Sequence, residues 1–160
     1  MTRMLELTSH LPEITVQAGH ELCTEGTSSG QIWVLLDGSL KVMKSGTQVN
    51  VIEMPGAVIG EIAVMLDRGA SASVVAETPC RLRVADDGAA FLRSDPEIGA
   101  FVATGLAQRL DIVTTYLADL KNQYGDPPGL AMVSDVLRRL TSEQRPPARP
   151  GSARDPDPEY

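Results

Sequence analysis

Aromatic residues, cysteine, histidine and positive charge are all scarce in this chain. Aromatics make up 4% of its 160 residues, so any core is aliphatic, built from Val, Leu, Ile and Ala. Two cysteines, Cys23 and Cys80, cannot make a disulfide framework. They read as small buried thiols of a reduced, cytoplasmic protein. With only His10 and His20 beside them, the spacing suits no metal site, and none is expected. The same shortage leaves histidine-based triads almost no candidates. The paired acids Asp86-Asp87 read as turn residues, so no enzyme is expected. No run approaches about 18 apolar residues, which excludes a membrane-spanning helix. The opening MTRMLELTSHLPE is too polar for a signal peptide. Fourteen Lys and Arg stand against 21 Asp and Glu, a net charge of −7. Up to Gly125 the count is 9 basic and 15 acidic, and beyond it 5 and 6. Neither part attracts nucleic acid.

What is present is a three-part pattern. From Glu13 to Ala85, glycines at positions 19, 26, 30, 38, 46 and 56 separate β-rich runs. The runs are Glu13–Val16, Ile32–Leu36, Leu40–Met43, Val49–Ile52, Ser71–Ala76 and Cys80–Val84. Leu40 to Val42 and Cys80 to Val84 alternate apolar with polar, which puts one face on a core. Asp37-Gly38 between two runs is a hairpin signal. Short strands at this spacing predict a sandwich or barrel. The expected inward set is Ile14, Leu22, Ile32, Val34, Val42, Val51, Ile62, Val74, Leu82 and Val84, with Trp33 and Leu35 on the other side.

A long helix follows, over 96–124. Ser94-Asp95-Pro96-Glu97 offers a cap, a proline at the first helical position and an acid in the first turn. Gly125 offers the stop. Leu106, Leu110, Val113, Leu117, Leu120 and Tyr124 step by four and three, a seam of 3.5-residue period. Such a stripe either covers the β-domain or meets a partner helix. At 1.5 Å per residue the helix runs about 40 Å, more than so small a domain covers, which favours a homodimer. Within 126–144, Leu130, Val133, Val136, Leu137 and Leu140 predict a short accessory helix. From Arg145 to Tyr160 the proline-rich sequence lacks apolar periodicity and reads as a disordered tail. Transcription factors that read DNA beyond such a long helix need about 60 further residues with a basic recognition helix, so no DNA binding is expected.

One stretch carries chemistry: Pro55-Gly56, then Gly60-Glu61-Ile62-Ala63-Val64-Met65-Leu66, then Asp67 to Val74. Pro55-Gly56 is a turn, and Gly60 permits close backbone approach. The next six residues make about one and a half turns of helix, too short to gain much from its own hydrogen bonds. Its free amides suit an anion, and Glu61 suits a sugar hydroxyl beside it. Ser71 and Ser73, two apart on a strand, point the same way. The plainer alternative is a glycine turn with a capping acid.

The segment resembles the phosphate-binding cassette of the cyclic nucleotide-binding domain, the regulatory module of the catabolite activator protein, cyclic-nucleotide-dependent kinases and gated channels. Gly60-Glu61-Ile62-Ala63 and Ser71-Ala72-Ser73-Val74 match its pattern. Ala18-Gly19 and Glu25-Gly26 resemble its early turns, and Trp33 to Gly38 its third-strand hairpin. The helix after Asp95-Pro96, with Ala107-Gln108-Arg109-Leu110, resembles its C-helix. The resemblance runs from Ile14 to about Lys121. It implies a mostly β fold with α, a β-roll (a double-stranded β-helix of jelly-roll type) followed by a long C-terminal helix. The domain would cover residues 1–125. The resemblance implies that the Gly60, Glu61, Ile62 and Ala63 amides face a cyclic phosphate and that Glu61 takes the ribose 2′-hydroxyl. Ser71 would bond phosphate or base, and Thr114 or Thr115 would lie near the base edge. One departure is serious: the phosphate-binding arginine of the family falls on Ala70. Loss of that contact costs about 2–5 kcal/mol, roughly 30- to several-thousand-fold in affinity. Arg68, two residues upstream, would reach the same place if the strand extended that far. The expected function is a small stand-alone regulatory module that relays weak cyclic AMP or cyclic GMP occupancy through its long helix to an unidentified effector. The alternative is an interaction module that keeps the fold without the nucleotide.

Overall fold

The computed structural model describes residues 2–125 and 131–142. The expected tail, 145–160, and the opening of the accessory segment at 126–130 lie outside them. The chain divides into two compact units, residues 1–106 and 107–160.

In the first unit eight strands form two four-stranded antiparallel sheets. They are β1 (Glu13–Val16), β2 (Glu21–Cys23), β3 (Ile32–Asp37), β4 (Leu40–Lys44), β5 (Thr47–Ile52), β6 (Val58–Ile59), β7 (Ser73–Ala76) and β8 (Cys80–Ala85). One sheet runs β1-β8-β3-β6 and the other β2-β7-β4-β5. This is the expected β-roll. Four helices join them in the chain: α1 (Thr2–Leu7), α2 (Glu61–Met65), α3 (Gly88–Ser94) and α4 (Pro96–Tyr124). The second unit takes in the later part of α4 and α5 (Ala131–Ser142). Among the described residues no helix is long and apolar enough to cross a membrane.

Two apolar clusters hold the first unit. Inside the roll Trp33, Leu35, Leu40, Ile59, Val74, Leu82 and Val84 pack with Ile14, Leu22 and Val42. Outside it Ile32, Val34 and Ala85 pack against Met4, Phe91 and Ile98 of the helices. Strand β3 is thus buried on both faces, which is why Ile32–Leu36 has no alternation to read. The expected assignment of its two faces is reversed: Trp33 and Leu35 fill the roll, while Ile32 and Val34 face the helices. Val51 also departs from expectation. It pairs with Lys41, and directly opposed residues share a face, so the outward lysine takes Val51 with it, 37% exposed. Ile62 is half-buried and joins neither cluster.

The Asp37-Gly38 turn is not a hairpin. Strand β3 pairs with β6 and β8, and β4 with β5 and β7, so the turn passes the chain from one sheet to the other. Gly38 is required there: its φ is 102°, and a Cβ would lie 2.6 Å from the Pro79 carbonyl oxygen and from Cys80 Sγ. The tight hairpin is β4–β5, where Lys44 opposes Thr47. Both turn residues, Ser45 (φ 49°) and Gly46 (φ 78°), are left-handed, the geometry of a type I′ turn.

Asp95 caps α4, its Oδ1 accepting from the Glu97 amide at 2.8 Å. Ser94 instead donates its hydroxyl to the Phe91 carbonyl at 2.7 Å. Arg3 of α1 holds both Glu97 oxygens at 2.8 Å.

Candidate functional site

The site is built where α2 meets the β2–β3 loop. Gly60 precedes α2 with φ 93°. A Cβ there would lie 2.7 Å from the Gln31 carbonyl oxygen and 3.3 Å from the Trp33 ring. Only glycine lets the helix start against β3.

Helix α2 then ends within five residues. The Asp67 amide donates to the Val64 carbonyl at 3.3 Å and the Arg68 amide to the Ala63 carbonyl at 3.0 Å. Asp67 sits left-handed at φ 48°. These bonds make a Schellman stop with aspartate in the position glycine usually takes.

The following segment is stitched to residues 23–27 along its length. Gly69 lies against Gly26, so close that a Cβ would sit 2.3 Å from the Gly26 carbonyl oxygen. The Ala70 amide donates to the Thr27 carbonyl at 2.7 Å, and the Ala70 carbonyl accepts from the Gly26 amide at 2.8 Å. Cys23 Sγ lies 3.8 Å from the Ala72 carbonyl oxygen. Ser73 Oγ accepts from the Glu25 amide at 2.9 Å.

Strand β7 begins only at Ser73. Ser71 therefore lies before the strand, and the condition that would bring Arg68 onto its face is not met. Arg68 is exposed, directed there by the left-handed turn at Asp67. Lys44, from β4, reaches the segment's backbone. Its Nζ donates to the Ser71 carbonyl and lies 3.2 Å from the Glu25 carboxylate. That carboxylate also accepts from the Ser45 amide at 2.8 Å. The Ser45 amide first, and the Lys44 ammonium second, hold Glu25 below the usual carboxylate range.

A cavity of about 400 Å³ opens beside α2, and Gly60, Ala63 and Ala70 line it together. Cys23, Thr27, Trp33, Asp67, Asp86 and Asp87 belong to the same wall. Burial, and then the charges of Glu21 and Glu61, push the Cys23 thiol up, against a backbone hydrogen bond at Val74 that lowers it. Glu61 itself is 3% exposed, the one buried carboxylate among the described residues. Six expected site residues therefore stand outside the cavity lining. Glu61 is buried, Ile62 half-buried, Arg68 exposed, and Ser71 and Ser73 half-buried. Thr114 is half-buried on the part of α4 in the second unit.

Sequence reasoning missed Glu25, Lys44 and Asp67. Glu25-Gly26 stood out only as a turn, and no spacing links Lys44 to it. Among the described residues no group of three or more His, Cys, Asp or Glu is arranged to hold a metal.

Residues 13–91 match the family described as the cyclic nucleotide-binding domain. Over 72 residues the chain is 32% identical to a cAMP-dependent protein kinase regulatory subunit of Yarrowia lipolytica. That match covers 45% of this chain, which spans only 19% of the relative's length. Among solved structures, a transcriptional regulator from Thermotoga maritima superposes with a TM-score of 0.60 at 18% identity, covering 73% of this chain and 96% of that one. PKAR CBD2 with Sp-2Cl-cAMPS bound gives 0.56 at 18% identity, covering 72% and 75%. These likenesses show the fold.

Proposed function

Residues 13–91 belong to the cyclic nucleotide-binding domain family, and from that premise we propose that the chain is a regulatory module whose ligand occupies the cassette from Gly60 to Ser73. The single observation that carries this reading is the cavity beside α2, which Gly60, Ala63 and Ala70 of the cassette line together. Cyclic AMP and cyclic GMP are the ligands the family implies. Occupancy would be relayed through α4, in a homodimer, to an effector protein in the cytoplasm, with no catalysis and no nucleic acid involved. Calorimetric titration with each cyclic nucleotide tests this. The wild type is expected to give a measurable if weak isotherm that Glu61→Ala removes. An isotherm unchanged by Glu61→Ala would contradict the role given to that residue.

A second reading rests on Ala70. Without the arginine the fold would serve as a protein-interaction module, and protein partners would then bind equally well with or without nucleotide.

A further inference from the structure

We propose that the open side of the roll between β1 and β2 is a second small-molecule site, fitted to a compact neutral ring that carries a hydrogen-bond donor. Strand β1 pairs with β8 and β2 with β7, in different sheets, so no ladder closes the roll between these two edge strands. A cavity of about 340 Å³ lies there. Its apolar wall is Ile14 of β1, Leu22 of β2, Trp33 of β3 and Val84 of β8. Trp33 opposes Val84, and both are core side chains of the roll, whereas Ile14 and Leu22 are only half-buried. The opening thus reaches the core and leaves aliphatic surface in water that a bound ring would cover.

Three polar side chains belong to the same lining: His20, Gln31 and Asp86. Gln31 donates its amide nitrogen to Asp86 Oδ1 at 2.8 Å, which fixes the carboxamide and leaves its carbonyl oxygen to accept. The His20 imidazole, exposed, accepts at one nitrogen when neutral and donates from the other. Either group can take the donor of a hydroxyl or a ring N–H. No Lys or Arg lines the cavity among the described residues, so an anionic head would lack the charge-assisted partner that holds such groups. The Trp33 ring favours an aromatic occupant. The volume of about 340 Å³ is near the low end of the roughly 300–1,000 Å³ of small-molecule sites, which suits a compact ligand. Gln31, Trp33 and Asp86 line the cavity beside α2 as well, so the two cavities share a wall. Ile14, His20 and Leu22 line only the one between β1 and β2. This site does not depend on what the cassette binds.

The test is titration of the full chain with 4-methylphenol, and in parallel with toluene and 4-methylbenzoate. It is read by calorimetry and by the emission of Trp33, the chain's one tryptophan. 4-Methylphenol is expected to bind and to shift the emission. Toluene, which lacks the donor, and 4-methylbenzoate, which is an anion, should bind about ten-fold or more weakly. His20→Ala, at an exposed position, should weaken 4-methylphenol by about three-fold or more. Ile14→Phe, which narrows the opening, should abolish its binding. Neither residue lines the cavity beside α2, so a loss in these variants places the probe between β1 and β2. No binding of 4-methylphenol overturns the proposal. So does binding that His20→Ala leaves unchanged, whether or not Ile14→Phe folds, or tighter binding of 4-methylbenzoate.

Discussion

Gly60 is where the backbone of the site is most constrained. Its φ of 93° and the 2.7 Å a Cβ would leave to the Gln31 carbonyl oxygen act against any side chain. Gly60→Ala is therefore expected to cost about 1–3 kcal/mol, a fall of several degrees in melting temperature for a domain of this size. An unchanged thermal transition would show that the α2 entry is not fixed as described. Glu25 gives a pH-dependent counterpart. Its carboxyl is held down by the Ser45 amide and by Lys44, so its folded value lies below its unfolded one. Its stabilising contribution is present above the ordinary carboxylate value and lost as pH falls through the folded one. Glu25→Gln should be less stable than wild type at neutral pH, with the gap closing in acid below 4.5. A gap that is constant with pH would contradict the ion pair. At this scale the site was half legible. Gly60, Glu61 and Ala70 could be read because their residue types are unusual for their places. Arg68 could not, because its direction depends on a left-handed aspartate, and aspartate in sequence does not announce that conformation.

Elements were legible where an apolar run or a cap marks their ends. The bounds of β1 and α4 follow from the runs and caps at Glu13–Val16 and Asp95-Pro96. Strands β2 and β6, of three and two residues, are too short for periodicity. Helix α3 rests on an Asp87 side chain that accepts from the Ala90 amide at 2.8 Å, a cap hidden in what read as a turn. Strand pairing was the least legible, since Asp37-Gly38 has the composition of a hairpin and the work of a crossover. Only the packing of Gly38 on Pro79 and Cys80 distinguishes them. The cap of α4 can be tested directly. Asp95→Ala removes the acceptor for the Glu97 amide and should cost about 1 kcal/mol, read as a lower midpoint in urea with an unchanged slope. A midpoint equal to wild type would mean the cap contributes nothing.

At the scale of the whole molecule the open question is what α4 presents. Of the expected seam on α4, Leu110 is 48%, Val113 50% and Tyr124 58% exposed, and Leu106, Leu117 and Leu120 are half-buried. An exposed apolar seam of this kind would suit a partner helix. Association of two copies along it would remove several large side chains from water, each worth about 1.5–3 kcal/mol when fully buried, against several kcal/mol for lost freedom. Sedimentation of the wild type should therefore report a dimer, and Val113→Glu a monomer. A dimeric mass in both would move the interface elsewhere.

We propose that the cassette is a working ligand site changed in its charge. Titration of the Ala70→Arg variant with cyclic AMP and cyclic GMP tests it most directly. The new guanidinium supplies a bidentate partner for phosphate beside Glu61, so at least one cyclic nucleotide should bind about ten-fold or more tightly than to wild type. If the folded Ala70→Arg variant binds neither, the cassette is not a ligand site and the fold serves some other end.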